Sequence, residues 1–166
     1  MRRTSIWLAL VCLAFAVALL AVAQAGKKPG LWEVTSKMTW KQSPTPGGAG
    51  GPGGPPPNPP PHSTQVCLTQ AMIDKYGGPI PQTHDCKVVN VNKTSTGMTA
   101  DWVCNGRMSG KGTIESSWAD ENRTAGKIHF AGTLQTAQGA SRPVEWTNEM
   151  TSVYKGSDCG GIKPVE

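Results

Sequence analysis

Apolar and polar residues alternate along most of the chain after residue 30. Between Leu31 and Trp40, tryptophan, valine and methionine occupy one set of alternate positions, and glutamate, lysine and threonine occupy the other. A period of two residues is typical of a β-strand with one buried and one wet face. The same alternation predicts strands at Met98–Cys104, Ile128–Leu134 and Val144–Tyr154, and shorter runs predict them at Gln65–Leu68, Lys87–Val91 and Thr113–Trp118.

Turn-forming residues separate these strands at hairpin spacing. Reversals are expected at 92–97, 120–122 and 137–139, where small polar residues or glycine cluster. One short helix is predicted after Thr69, a good N-cap, and it ends at Gly77-Gly78. The sequence therefore predicts a mainly β fold, an antiparallel meander of six to eight strands with one short helix. Because its apolar face must be hidden, the meander forms either a small barrel-like curved sheet or a sandwich.

Residues 43–62 break this pattern, because they are almost entirely proline and glycine. Such a composition cannot build a packed core, and it predicts a long disordered loop between the first two strands. Runs of three prolines also favour the polyproline II helix, which proline-recognising partners bind. Both interpretations stay open, and the passive loop is the favoured one.

The first 25 residues have the three parts of an export signal. Arg2 and Arg3 precede an uncharged apolar stretch from Ile6 to Val22, and Ala23-Gln24-Ala25 then supplies the small residues at which signal peptidase cuts. Residues 1–25 are predicted to be removed, leaving one domain over 26–166 without a stable membrane span. The alternative is an uncleaved anchor, because the stretch just reaches the roughly 18 residues that a spanning helix needs. The mature protein is expected in the periplasm or secreted.

Charge argues against a nucleic-acid partner. Once Arg2 and Arg3 are removed, fourteen basic and eleven acidic side chains remain, so the mature chain carries a net charge of +3. These charges form no dense basic block of the kind that binds phosphate backbones. The partner that the sequence leaves open is a small apolar ligand or an envelope protein.

Four cysteines remain after removal of the signal: Cys67, Cys86, Cys104 and Cys159. An even number in an exported domain predicts two disulfides. Of the three pairings that four cysteines allow, we expect Cys67–Cys86 with Cys104–Cys159, because the first pair brackets one short connecting segment. A zinc site is the alternative, but no two cysteines are closer than eighteen residues, whereas zinc ligands usually come in close pairs. No metal or other cofactor is predicted.

No motif predicts an enzyme. His62, His84 and His129 lie far apart in the sequence, and nothing in their positions suggests that they converge on an acid–base or metal site. Ser109 lacks the Gly-x-Ser-x-Gly context of a hydrolase nucleophile. The domain is therefore expected to be non-enzymatic, with no catalytic residue assigned.

Tryptophan supplies the candidate ligand-binding residues. Five tryptophans remain after the loss of Trp7, in a chain with only two phenylalanines and two tyrosines. Trp32, Trp40, Trp102 and Trp146 are candidates for lining an apolar pocket inside a curved sheet, and the simpler interpretation is that they form its core. Two functions are therefore carried forward. One is an exported binding domain for a small apolar ligand or lipid, and the other is an envelope-associated interaction module that uses a strand edge or the polyproline loop.

Several short motifs resemble the domain of unknown function 3617 family of bacterial exported proteins. The most distinctive is the opening Lys28-Pro-Gly-Leu-Trp-Glu-Val34, and the others are Gln65-Val-Cys-Leu-Thr69, Cys86-Lys-Val88, Trp102-Val-Cys104 and Ser157-Asp-Cys159. The resemblance spans nearly all of residues 28–159, and it departs at the inflated Pro/Gly stretch, where relatives have a shorter loop. It implies an exported, β-rich domain with cysteines at these positions, and it implies no function.

Overall fold

A computed structural model of the chain describes residues 27–44, 58–80, 83–137 and 139–165. These residues form one eight-stranded sheet and one short helix, which confirms the mainly β prediction. The elements are β1 (Gly30–Gln42), β2 (His62–Leu68), α1 (Gln70–Tyr76), β3 (Cys86–Lys93), β4 (Gly97–Asn105), β5 (Met108–Asp120), β6 (Arg123–Gln135), β7 (Ser141–Gly156) and β8 (Pro164–Val165).

The strands lie in the order β3-β4-β5-β6-β7-β1-β2-β8. Strands β3 to β7 form the predicted antiparallel meander, with reversals at the three expected turns and a fourth, unpredicted reversal at 106–107 between β4 and β5. Strand β1 then lies between β7 and β2 and pairs with both, so the first described strand is an interior strand of the sheet. Only the two-residue strand β8, which the sequence pattern did not predict, runs parallel to its neighbour β2.

Side chains alternate between two faces of the sheet. In β1 and β4–β7 the even-numbered residues form the inner face, which carries the buried apolar side chains, and the odd-numbered residues form the polar outer face. The main core cluster contains these buried residues: Met72, Tyr76, Ile80, Met98, Ala100, Trp102, Cys104, Ile114, Ile128, Phe130, Val144 and Trp146.

A cluster of aromatic rings fixes the curvature of the sheet. Trp102 on β4 and Trp146 on β7 are separated by two strands, which is about 14 Å in a flat sheet. Their ring centroids are nevertheless only 5.8 Å apart, and Phe130 on β6 lies within 5.8 Å of both rings. The sheet curls around these rings into a half-barrel. Of the two predicted architectures, the curved single sheet is therefore correct.

Glycine makes room for these rings. The cross-strand register places Gly112 of β5 between Trp102 and Phe130 on the inner face. Because glycine has no side chain, the two rings can meet above it in an edge-to-face arrangement. A Cβ atom at Gly112 would lie 2.4 Å from the main-chain oxygen of His129, so the backbones of β5 and β6 also approach closely here.

Helix α1 covers part of the inner face. It begins after Thr69, whose hydroxyl accepts a hydrogen bond from the Met72 amide at 3.2 Å, and it ends at Gly77, which has a φ of 75°. Met72 and Tyr76 pack into the main core cluster. Ile73 packs instead with Trp32, in a second, smaller cluster. The helix, its cap and its glycine stop are all as the sequence predicted.

The predicted disulfide pairing is wrong. Cys67 is bonded to Cys159, and Cys86 is bonded to Cys104. Cys86 and Cys104 lie directly opposite each other on β3 and β4, with their Cα atoms 4.0 Å apart. Proximity in sequence was misleading because the sheet order places five strands between β2 and β3, which keeps Cys67 far from Cys86. The expectation of two disulfides is confirmed.

Two lysines just before β1 bind the turn between β5 and β6. The Lys27 side chain is buried, and its ammonium group donates hydrogen bonds to the main-chain carbonyls of Asp120 and Arg123. Burial lowers the pKa of Lys27, and the negative charges of Asp120 and Glu121 partly offset this effect. Lys28 forms an ion pair with Glu121 at 2.5 Å. The first described residues are thus part of the packed domain.

Most of the predicted Pro/Gly loop at 43–62 falls on residues 45–57, which lie outside the described residues. At its far end, Asn58 accepts a hydrogen bond from the amide of Trp40 at 3.0 Å, so this residue already contacts β1. His62, the last residue of the predicted loop, is the first residue of β2. The predicted export signal, residues 1–25, also lies outside the described part of the chain.

Replacing Gly112 by alanine tests the close packing at the aromatic cluster. We expect G112A to lower the free energy of unfolding by about 1–3 kcal/mol, because the added methyl group forces β5 and β6 apart. Urea denaturation measures the change. Gly156 in β7 is the matched control, because a Cβ atom there meets nothing within 4 Å, and G156A should change stability by less than about 0.5 kcal/mol. Equal effects of the two substitutions would contradict this account.

The two disulfides close loops of different length, and their removal should differ accordingly. The Cys67–Cys159 bond closes a loop of 92 residues, and the Cys86–Cys104 bond closes one of 18. Chain entropy alone assigns them about 4.6 and 3.2 kcal/mol. We therefore expect the C67A/C159A pair to lose about 1.4 kcal/mol more than the C86A/C104A pair in urea denaturation. The reverse order would show that native contacts, and not loop closure, dominate.

Candidate functional site

The four candidate tryptophans do not surround a common cavity. Trp102 and Trp146 pack against each other in the main core cluster, and Trp40 packs against that cluster from a partly buried position. Trp32 belongs to the second cluster, where its ring meets Tyr154 edge-on at 5.5 Å and its indole N–H donates to the carbonyl of Lys28 at 2.9 Å. Their positions therefore agree with the simpler interpretation, in which the tryptophans pack in the core.

The three histidines are also kept apart. His62 begins β2, His84 lies in the turn before β3, and His129 lies on β6. Strands β2 and β3 lie near opposite ends of the strand order, and no described hydrogen bond or ion pair joins two of the histidines. Within the described ranges, no three acidic, histidine or cysteine side chains are grouped closely enough to hold a metal ion.

A small ion cluster lies on the outer face around Glu145. Its carboxylate accepts hydrogen bonds from the ammonium group of Lys41 at 2.8 Å and from the imidazole of His129 at 3.1 Å. These contacts, that of Lys41 first, hold the pKa of Glu145 below its ordinary value of 4.5. The cluster joins β1, β6 and β7 across the middle of the sheet, and it is exposed to solvent.

The two edge regions of the sheet differ in the regularity and the charge of their strands. Strand β3 forms one edge, and it is irregular. Its pairing with β4 shifts between Val89 and Asn92, and Asn90 adopts a left-handed φ of 53° while its side-chain amide donates to Asp101 at 2.7 Å. Bulges and lysine residues are the usual means by which edge strands avoid pairing with other chains. Strand β3 has both, with lysine at positions 87 and 93.

Strand β2, by contrast, has neither a bulge nor a lysine residue. Its register with β1 is continuous from Leu68 to His62, and β8 covers only Cys67 and Leu68 on its other side. The remaining segment, His62–Val66, has no strand neighbour on that side among the described residues, and its first four residues are exposed. It contains no lysine, arginine, acid or proline. About 16 Å of regular, uncharged strand edge is therefore open to a partner.

Neither edge was localised by sequence reasoning. The alternation of residues predicted both strands, but it cannot show which strands lie at the end of a sheet. The absence of charge from 62–66 indicates an interior strand, because edge strands normally carry charged residues, so this signal points away from the observed position. In the part of the chain that the structure describes, no helix is long and apolar enough to cross a membrane.

The cluster around Glu145 predicts a dependence of stability on pH. Because the pKa of Glu145 is lower in the folded protein, its stabilising contribution is complete above about pH 4.5 and is lost as the pH falls through the folded pKa. We expect E145Q to lose less stability than the wild type between about pH 5 and pH 3, as measured by urea midpoints. The control is E149Q, since Glu149 lies on the same face of β7 without a described ion-pair partner. The same pH dependence in E145Q as in the wild type would contradict the prediction.

Comparison with known proteins identifies a family and nothing more specific. A family model described as a protein of unknown function (DUF3617) matches residues 27–159. The match begins at the buried Lys27 and ends at Cys159, so it includes both disulfides and every strand except β8. No curated protein and no solved structure matches the chain.

Proposed function

This chain belongs to the DUF3617 family, and on the basis of its sheet geometry we propose that it is an exported, non-enzymatic protein-interaction domain. In this proposal, the open edge His62–Val66 of β2 pairs with an extended segment of an envelope protein. The observation that supports it is the difference between the two edges. Strand β3 is irregular and flanked by lysines, whereas β2 is regular and uncharged.

Strand addition suits this edge physically. An added strand satisfies main-chain N–H and C=O groups that otherwise bind water, and its affinity comes mainly from those hydrogen bonds. Its side chains would meet Ser63 and Gln65 on the outer face, and Thr64 on the inner face. Because these side chains are short or uncharged, many different partner residues can pack beside them. The expected partner is therefore an extended, mainly polar segment and not a globular surface.

Two features support export. Four cysteines form two disulfides, which persist in oxidising compartments. The apolar stretch of residues 6–22 precedes the packed domain, which is already structured at Lys27. Removal of residues 1–25 would leave this domain intact in the periplasm or in the medium.

An apolar carrier is the less favoured function. The rings of Trp102, Phe130 and Trp146 contact one another, so a ligand of useful size would have to separate them. Separation would expose the core that holds the half-barrel together. Strand addition at β2 requires no such change.

Photo-crosslinking in cells tests the edge. A photoreactive phenylalanine at Gln65 of the full-length, exported protein should form a discrete adduct with a second protein, because the residue lies on the open edge. The same group at Val89, which is exposed on the irregular edge of β3, is the matched control and should form none. Adding Ser63→Lys to the Gln65 probe should remove the adduct, because it introduces an edge charge.

The Ser63→Lys change should leave the fold intact. It removes one exposed hydrogen bond between Thr35 and Ser63, which is worth about 1 kcal/mol at most, so melting curves should show a folded protein. Equal adducts from both edges, or an adduct at Gln65 that survives Ser63→Lys, would contradict the proposal. An adduct of twice the chain mass would replace the envelope partner by a second copy of this chain.

A further inference from the structure

The residues that directly follow the predicted signal are held in place more firmly than the first residues of a domain usually are. Lys27 is only 6% exposed, and its ammonium group donates hydrogen bonds to the main-chain carbonyls of Asp120 and Arg123. The same ammonium group lies 5.6 Å from the centre of the Trp118 ring, in a cation–π contact. Because lysine is almost never buried without such partners, these contacts fix the position of residue 27.

The residues after Lys27 are held as well. Lys28 forms its ion pair with Glu121 at 2.5 Å. Gly30 packs so closely against the end of β7 that a Cβ atom there would lie 2.3 Å from the main-chain oxygen of Gly156. Residues 27–30, here called the docked segment, therefore contact both the β5–β6 turn and the end of β7.

The docked segment lies next to the bond that signal peptidase is predicted to cut. That bond joins residues 25 and 26, so at most about 7 Å of extended chain separates it from the buried Lys27. A peptidase holds the chain on both sides of the cut bond in its active site, and this span is too short to enter such a site while Lys27 stays buried. Cleavage of the folded domain therefore requires the docked segment to detach first.

The topology of the sheet delays this docking. The two residues whose carbonyls bind Lys27 lie 93 and 96 positions further along the chain. A chain that is exported from its N-terminus exposes the predicted cleavage site long before it delivers the β5–β6 turn that receives Lys27. The bond is thus accessible during export, and it becomes inaccessible once β5 and β6 have formed.

We infer that docking of residues 27–30 ends the period in which the signal can be removed. Signal peptidase hydrolyses the bond before the domain folds, and water leaves a carboxylate on residue 25 and an amine on residue 26. A domain that folds first keeps its signal and stays anchored in the membrane. This inference rests on the export proposed above, and it adds to that proposal the step that decides between release and anchoring.

Cleavage of the full-length precursor in vitro tests the inference. The chain of 166 residues is purified in detergent with both disulfides formed and is incubated with purified bacterial signal peptidase. A second sample is reduced and alkylated, and loss of its near-ultraviolet circular dichroism shows that its tertiary packing is gone. Mass spectrometry identifies the cut bond. The folded precursor should be cut at least about 10-fold more slowly than the unfolded one, because only molecules with a detached segment are substrates.

Two substitutions that weaken the docking make the test specific. K27A removes both hydrogen bonds to the turn, and E121A removes the ion pair of Lys28 without changing the segment that the peptidase binds. Because residue 27 belongs to that segment, the rate for each folded variant is divided by the rate for the same variant unfolded. K27A should raise this ratio about fivefold or more, since it removes charge-assisted hydrogen bonds. E121A should raise it about twofold, because the ion pair is partly exposed.

E115A is the matched control. Glu115 is an exposed acid of β5, and no described hydrogen bond or ion pair joins it to the docked segment, so E115A should leave the ratio unchanged. Equal cleavage of the folded and unfolded precursors, or an effect of E115A as large as that of E121A, would overturn the inference and leave the export proposal intact. If K27A does not fold, the comparison of E121A with E115A decides alone. Cleavage of neither form between residues 25 and 26 would contradict the export proposal itself, and the inference would fail with it.

Discussion

The packing of Trp102, Phe130 and Trp146 over Gly112 is the contact on which the rest of the structure depends. A single sheet has one apolar face to hide, and it has no second sheet to hide it against. Here the sheet hides that face by curling until rings from strands three positions apart touch. Burial of such rings contributes on the order of 1.5–3 kcal/mol each, and their mutual contacts add to this.

Curling without closing has a consequence at the ends of the sheet. A closed barrel has no edges, whereas a half-barrel retains two, and each must be protected or used. Strand β3 is protected by its shifted pairing, by lysines and by the link from Lys93 to the carbonyls of Ile73 and Asp74 in α1. Strand β2 lacks these features along its first five residues. The same geometry that completes the core thus creates the edge to which we assign a function.

Much of this fold could be predicted from alternation alone. A period of two identified seven strands, and the sequence Thr69 to Gly78 identified the helix, because strand faces and helix caps are local properties. The disulfide pairing and the order of strands could not be predicted, since they depend on contacts between distant segments. Cys67 meets Cys159, 92 residues away, because the chain after β7 continues to β8, which pairs with β2 at Cys67 and Leu68. The sequence also leaves the role of Trp32 and Trp146 open. An alternating pattern shows that a residue faces inward, but it does not show whether other side chains or a ligand fill the interior.

The central claim is that the protein's own side chains fill its interior and leave no space there for an apolar ligand. Native mass spectrometry of protein purified from the periplasm, before and after organic extraction, tests this claim most directly. The account predicts one bare mass in both samples, four hydrogens below that of the reduced chain from Gly26 to Glu166, because two disulfides are present. A discrete additional mass that extraction removes would contradict it, because an apolar ligand would then occupy the space assigned to the aromatic rings.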